Sequence, residues 1–155
     1  MIYGVPGAGK SVLSYYLWKY FHEVHGKTLY ILVEEGFSPS AQIKMKKLGI
    51  TENQPLATEM QPIEVLKQYK YVFIDSFHEA GLKAHDIVRL RDACPNTTFF
   101  FVFTVNLKGE FSGGMQGLHK IDTSVKMVEK GIAEVQNKSR TGAIAGTQFK
   151  VPYDK

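Results

Sequence analysis

Apolar residues along this chain follow two rhythms that alternate almost from the first position. Residues 1–3 are a short apolar opening that runs into glycine, and they can form only a brief strand. From Lys10 onward Val12, Leu13, Tyr16, Leu17, Tyr20, Phe21 and Val24 recur at helical spacing, and Gly26 supplies a stop. Residues 28–33 are continuously apolar, as expected of a strand covered on both faces. Ser38 followed by Pro39 reads as a cap and first turn, opening a helix to about Leu48. Pro62 opens a further helix to about Tyr69, and residues 71–74 are a third buried strand with Asp75 at its end. Residues 83–93 read as a helix stopped by Pro95, and residues 98–104 as a very apolar strand.

The rhythm then changes. Residues 106–117 hold glycines at 109, 113, 114 and 117 and read as a loop, mobile until a partner binds. Residues 124–129 and 132–138 suggest a hairpin about Lys130-Gly131, and a last strand is expected over 147–151. Strands alternating with helices predict an α/β domain spanning residues 1–155, with a mostly parallel central sheet and a C-terminal antiparallel hairpin. In it the first strand lies beside the 98–104 strand and near the 71–74 strand.

Composition narrows the class. A chain of 155 residues, 44% hydrophobic and 22% charged, suits one domain with a real core. No apolar run approaches the roughly 20 residues of a membrane span. Lys10 and its glycines interrupt any apolar leader, and the lone Cys94 suits a reducing compartment, so a cytoplasmic location with no membrane partner is expected. The net charge of +4 is compatible with a polyanionic partner.

The strongest chemical signal is GVPGAGKS at residues 4–11, which fits the phosphate-loop pattern G-x-x-x-x-G-K-S/T. Gly4, Pro6, Gly7, Ala8 and Gly9 form a turn whose backbone N–H groups can face a phosphate. Lys10 brings a point charge to the β- and γ-phosphates, Ser11 offers a hydroxyl to Mg²⁺, and the helix continuing through Val12 aims its positive end at the anion. The ligands implied are ATP or ADP with Mg²⁺. Asp75, closing an apolar strand at the expected separation, is the second candidate metal ligand. Glu34 and Glu35 follow the second strand, where a carboxylate can orient or deprotonate an attacking water. Spacing does not choose between them. Asn106, just past the end of the 98–104 strand near Thr104, can donate and accept beside a γ-phosphate. KSRTG, residues 138–142, carries the cations Lys138 and Arg140, which could act on a neighbouring subunit's site; by spacing alone it is a solvated basic turn.

In combination these segments resemble the ATPase core of the bacterial RadA (Sms) family, within the RecA, DnaB and KaiC group. TLYILVEEGFSPSAQIKMKKLGI resembles that family's strand ending in Glu-Glu and the helix after it. VFIDSF resembles its magnesium-site strand, and KGEFSGGMQGLHKID its loop with Gly-Glu before a His and an Asp. KSRTG falls where the family has Lys-Asn-Arg-Phe-Gly, thought to reach into a neighbour's site and couple to DNA. The sequence departs from the family in reading TVNLK where that loop has His-Val-Thr-Lys, and it carries neither the four-cysteine zinc module nor the Lon-like domain.

The resemblance implies a three-layer RecA-like fold and ATP hydrolysis in DNA recombination, repair or replication. It also implies a homo-oligomer and single-stranded DNA contacted by His78, Lys83, Lys108, His119 and Lys120. Two other classes remain in view. One is a regulatory module that holds ATP with little turnover. The other is a small-molecule kinase, which would need an arginine-bearing lid, whereas Arg89 and Arg91 fall on a predicted helix far from the glycine loop.

Overall fold

A computed structural model describes residues 1–111, 120–136 and 142–152. In chain order the elements are β1 (Ile2–Gly4), α1 (Lys10–His25), β2 (Thr28–Leu32), α2 (Pro39–Lys47), β3 (Leu56–Ala57), α3 (Ile63–Leu66), β4 (Tyr71–Asp75), α4 (Ala84–Ala93), β5 (Thr98–Thr104), β6 (Val125–Glu129), β7 (Ile132–Val135) and β8 (Gln148–Lys150). They build one sheet in the order β3-β2-β4-β5-β1-β6-β7-β8. Every pair from β3 to β6 is parallel, and β7 and β8 are added antiparallel.

Side-chain alternation along the strands explains the layers. Leu29 and Ile31 of β2, Val72 and Ile74 of β4, and Phe101 and Phe103 of β5 share one buried face with Leu66 of α3 and Ile87 and Leu90 of α4. Tyr30, Leu32 and Phe73 point the other way, against Tyr15 and Trp18 of α1 and Ala41 and Met45 of α2. Strands buried on both sides can be apolar throughout, which is why their runs show no polar alternation. As expected from the sequence, β1 lies beside β5, and β5 beside β4.

Several boundaries differ from the pattern-based expectation. The helix expected over 62–69 is a single turn, Ile63–Leu66, followed by a turn back to β4. The two-residue edge strand β3 carries too little periodicity to be seen, and pairs with β2 only through Tyr30↔Leu56 and Ile31↔Ala57. On α1 the apolar positions Tyr16, Tyr20 and Val24 are exposed, at 42%, 47% and 56%, whereas Ser14, Tyr15 and Trp18 are buried. The helix is rotated from its simplest amphipathic reading so that Ser14 faces β2, where a buried polar partner awaits it. Among the described residues, no helix is long and apolar enough to cross a membrane.

Candidate functional site

In open parallel sheets, ligands bind at the carboxyl edge of the strands. Here that edge carries the turn after β1. The turn hugs β6: a Cβ built on Gly4 would lie 2.9 Å from the Met127 Cβ, so only glycine lets the strands approach. Gly7 and Gly9 have φ of 77° and 101°, a conformation that side chains resist. Gly9 is also the cap of α1 and offers no side chain to its first amides, which leaves them available to an anion.

The turn borders a cavity of about 290 Å³. Pro6, Gly7, Gly9, Lys10, Ser11 and Val12 form one wall. Glu34, Glu35 and Thr104 contribute from the ends of β2 and β5, with Lys44 from α2 and Lys130 from the β6–β7 turn. Gly4 and Ala8 are buried and do not line the cavity: Gly4 sits against Met127, and Ala8 packs with Ile2 and Leu13.

Lys10 is 8% exposed, and its ammonium donates to the Val5 carbonyl at 3.1 Å. Burial holds that ammonium below the ordinary lysine range; the negative charges of Glu34 and then Asp75 act in the opposite direction. Asp75 closes β4 and is 2% exposed. Burial pushes its carboxyl up to about 6, against the hydrogen bond from Tyr30 and the neighbouring Ser11 hydroxyl, which favour the ionised form, while Glu34 and Glu35 raise it further. The Tyr30 hydroxyl donates to Asp75 Oδ2 at 2.8 Å and also meets Ser14 Oγ, one turn beyond Ser11. With its own proton directed at Asp75, the Tyr30 hydroxyl accepts from Ser14. The rings of Tyr15 and Trp18 pack on Tyr30 with centroids 4.9 and 5.0 Å away, which fixes the hydroxyl in place.

The two glutamates differ. Glu35 forms an ion pair with Lys44 at 2.5 Å, and its Oε2 is buried without a hydrogen-bond partner. Glu34 is exposed, forms no ion pair with a described residue, and is the carboxylate with the larger effect on Lys10. Both border the cavity because β2 ends at Leu32, so the strict alternation of a strand no longer holds at 34 and 35.

Asn106 is not brought to the cavity. Its Oδ1 accepts from the backbone N–H of Lys108 and Glu110, and its amide donates to Glu110 Oε2 at 2.8 Å, closing its own turn. Thr104, two residues earlier, borders the cavity with a buried Oγ1 that has no hydrogen-bond partner. Lys44 and Lys130 were not singled out from the sequence; the lysine-rich stretch of α2 and the turn lysine before Gly131 look like solvated surface until the fold gathers them. Lys138 and Arg140 lie outside the described residues, as do His119 and residues 112–117 of the glycine-rich loop.

No family model and no curated protein matches the sequence. The three-dimensional structure does find relatives in shape. A KaiC-like protein from the hyperthermophilic archaeon Pyrococcus horikoshii OT3 superposes with a TM-score of 0.65 over 96% of this chain and 82% of that one. The fold is KaiC-like. At 12% identity the likeness concerns architecture alone, an α/β domain with the glycine turn after β1 at the carboxyl edge of a parallel sheet.

The residues at the foot of the loop bear on a magnesium ion. Bound beside a phosphate, the ion keeps most of its waters and asks the protein for one or two oxygens. Ser11 on the cavity wall and the buried carboxyl of Asp75 at the end of β4 are the oxygen donors that would fill that role. Among the described residues there is no cluster of three or more His, Cys, Asp or Glu that would cage a metal by itself. The donor set fits an ion held jointly with a phosphate.

Proposed function

We propose that the chain binds ATP·Mg²⁺ in the cavity bordered by residues 6, 7 and 9–12 and hydrolyses it, as a compact ATPase of RecA/RadA type. The observation that carries this reading is the convergence of Lys10, Ser11, Glu34 and Thr104 on one cavity at the carboxyl edge of the sheet, with the buried Asp75 closing β4 at that same edge. Distant segments of sequence meet where a metal-bound phosphate requires oxygen donors. Lys10 would leave the Val5 carbonyl for the β- and γ-phosphates. Ser11 and Asp75 would hold the ion, whose charge offsets that of the phosphates. Glu34, unpaired and close enough to Lys10 to act on its charge, would orient and accept a proton from water, while Thr104 would donate its unpartnered hydroxyl to the outer phosphate.

Coupling to single-stranded DNA and assembly into a homo-oligomer are part of the RadA-like reading and rest on the order of the sequence motifs. A second reading is a nucleotide-holding module with little turnover, and it is favoured by Asn106, whose polar atoms are engaged in its own turn. Isothermal titration of ATP and ADP with Mg²⁺, alongside release of phosphate with and without single-stranded DNA, separates the two. Lys10→Ala should weaken nucleotide binding by at least about 10- to 150-fold, the worth of a charge-assisted contact, with the fold retained. Unchanged affinity in that variant would move the site elsewhere. Tight binding with no phosphate release in either condition would select the second reading.

A further inference from the structure

We propose that Lys130, in the β6–β7 turn, binds the nucleotide in the cavity of its own chain, at the α- and β-phosphates. The proposal rests on reading residues 4–12 as the nucleotide site and adds a cation to it that the phosphate-loop motif does not contain.

Topology places the residue. β6 runs parallel to β1, with Ile2 opposite Val125 and Tyr3 opposite Lys126. Both strands therefore finish at the same edge of the sheet. Met127 comes level with Gly4 and touches it. Lys130 lies three residues further along, roughly 10 Å at the rise of a strand, which is the level of the loop rather than of the sheet.

The turn that carries it is held on both sides. Glu129 opposes Ile132, so Lys130 and Gly131 form a two-residue connection, and Gly131 has the φ of 81° that glycine accommodates. β8 braces it from beyond: Ile132 pairs with Lys150, and the Val151 N–H donates to the Gly131 carbonyl at 2.8 Å. A lysine on such a turn pays little ordering cost in its backbone when it meets a ligand.

Its charge is also uncommitted. Among the described residues three lysines border the cavity. Lys10 donates to the Val5 carbonyl and Lys44 is paired with Glu35. Lys130 has no ion pair or side-chain hydrogen bond with any described residue, although it faces the same space.

The flank decides which phosphates it meets. β5, β4 and β2 lie on one side of β1 and carry Thr104, Asp75 and Glu34; β6 lies on the other side. The metal-bound, reacting end of a triphosphate belongs with the acids. The rest of the molecule extends toward β6, so Lys130 serves the part that ATP and ADP share.

The test is equilibrium binding of fluorescent methylanthraniloyl-ADP and its ATP analogue with Mg²⁺ to wild type, Lys130→Ala, Lys130→Arg and Lys10→Ala. Thermal melts would confirm that each variant is folded. Lys130→Ala should weaken both ligands by a similar factor, about five- to thirty-fold, and Lys130→Arg should recover most of it. Mixing Lys130→Ala with Lys10→Ala should restore nothing, because the lysine acts within its own chain. Unchanged ADP affinity in Lys130→Ala, or a loss confined to the ATP analogue, would overturn the assignment; recovery on mixing would overturn it too, by moving the lysine to a neighbour's site. If Lys10→Ala loses binding and Lys130→Ala keeps it, this inference falls and the proposed site stands. If wild type binds neither nucleotide, both fall.

Discussion

Asp75→Asn is expected to stabilise the nucleotide-free protein while removing its magnesium-dependent nucleotide binding. The carboxyl is nearly inaccessible, and burial lifts it from 3.8 to about 6. Below 3.8 the folded and unfolded chains both carry the neutral acid, and no penalty arises. As pH rises from about 4 to 6 the unfolded chain releases the proton and the folded chain retains it, so folding becomes progressively less favourable. Above about 6 the full cost is present, on the order of 3 kcal/mol at about 1.4 kcal/mol per unit. Asparagine keeps the shape, accepts from Tyr30 through its oxygen, and never ionises. Urea unfolding of wild type and variant at pH 4, 5, 6 and 7 reads the effect directly. The two should nearly coincide at pH 4 and diverge by about 3 kcal/mol in the variant's favour at pH 7. Saturating Mg·ATP should return stability to the wild type alone, by about 2.7 kcal/mol at a hundred times Kd. A pH-independent difference, or a less stable variant at pH 7, would show that burial does not penalise the charge as argued.

Glu34→Gln should leave nucleotide affinity nearly intact and slow turnover by about 10²–10⁴-fold, whereas Glu35→Gln should act mainly by releasing Lys44; equal turnover for wild type and Glu34→Gln in a phosphate-release assay would exclude Glu34 as the base. Gly4→Ala should cost about 1–3 kcal/mol in urea unfolding, because its Cβ would stand 2.9 Å from that of Met127 and β1 and β6 would have to separate; an unchanged midpoint would mean that the strands yield without cost.

What the sequence made legible was whatever is written in consecutive residues. The phosphate-loop turn needs glycines and a lysine in a fixed order, and β2, β4 and β5 are apolar because helices cover both faces, so pattern located them all. Asp75 could be singled out in advance because its strand ends in a lone acid, and the structure buries it at the end of β4. Elements whose form depends on what they pack against were not legible. β3 is two residues long, and α1 buries Ser14 and exposes Tyr20 because a tyrosine–aspartate pair awaits Ser14 on the sheet. Asn106 and Thr104 were both visible as polar ends of a strand, but only the fold shows that the asparagine is consumed by Lys108 and Glu110 while the threonine hydroxyl borders the cavity unpartnered. Lys138 and Arg140 fall outside the described residues.

Lys130 could not be found from spacing for the same physical reason. A Lys-Gly turn between two strands predicts a hairpin, and nothing local says which way the hairpin points. The direction comes from the pairing of β6 with β1, a contact across more than 120 residues of chain that makes the two strands parallel. Had β6 been antiparallel to β1, Lys130 would have emerged at the opposite edge, beside the start of β5. Parallel order is thus what gathers the site. β1 ends at the phosphate loop, β2 leads to Glu34, β4 ends at Asp75, β5 ends at Thr104 and β6 leads to Lys130, so five neighbouring parallel strands each deliver their group to one edge. It follows that a change weakening the β1–β6 pairing, such as Gly4→Ala, should shift the Lys130 side of the cavity before the acidic side, which is carried by β2 and β4 on the far side of β5. A Gly4→Ala variant that stays folded is therefore expected to lose affinity for ADP and ATP alike and to keep its dependence on magnesium. Loss of the magnesium dependence with ADP affinity intact would contradict that division of the site.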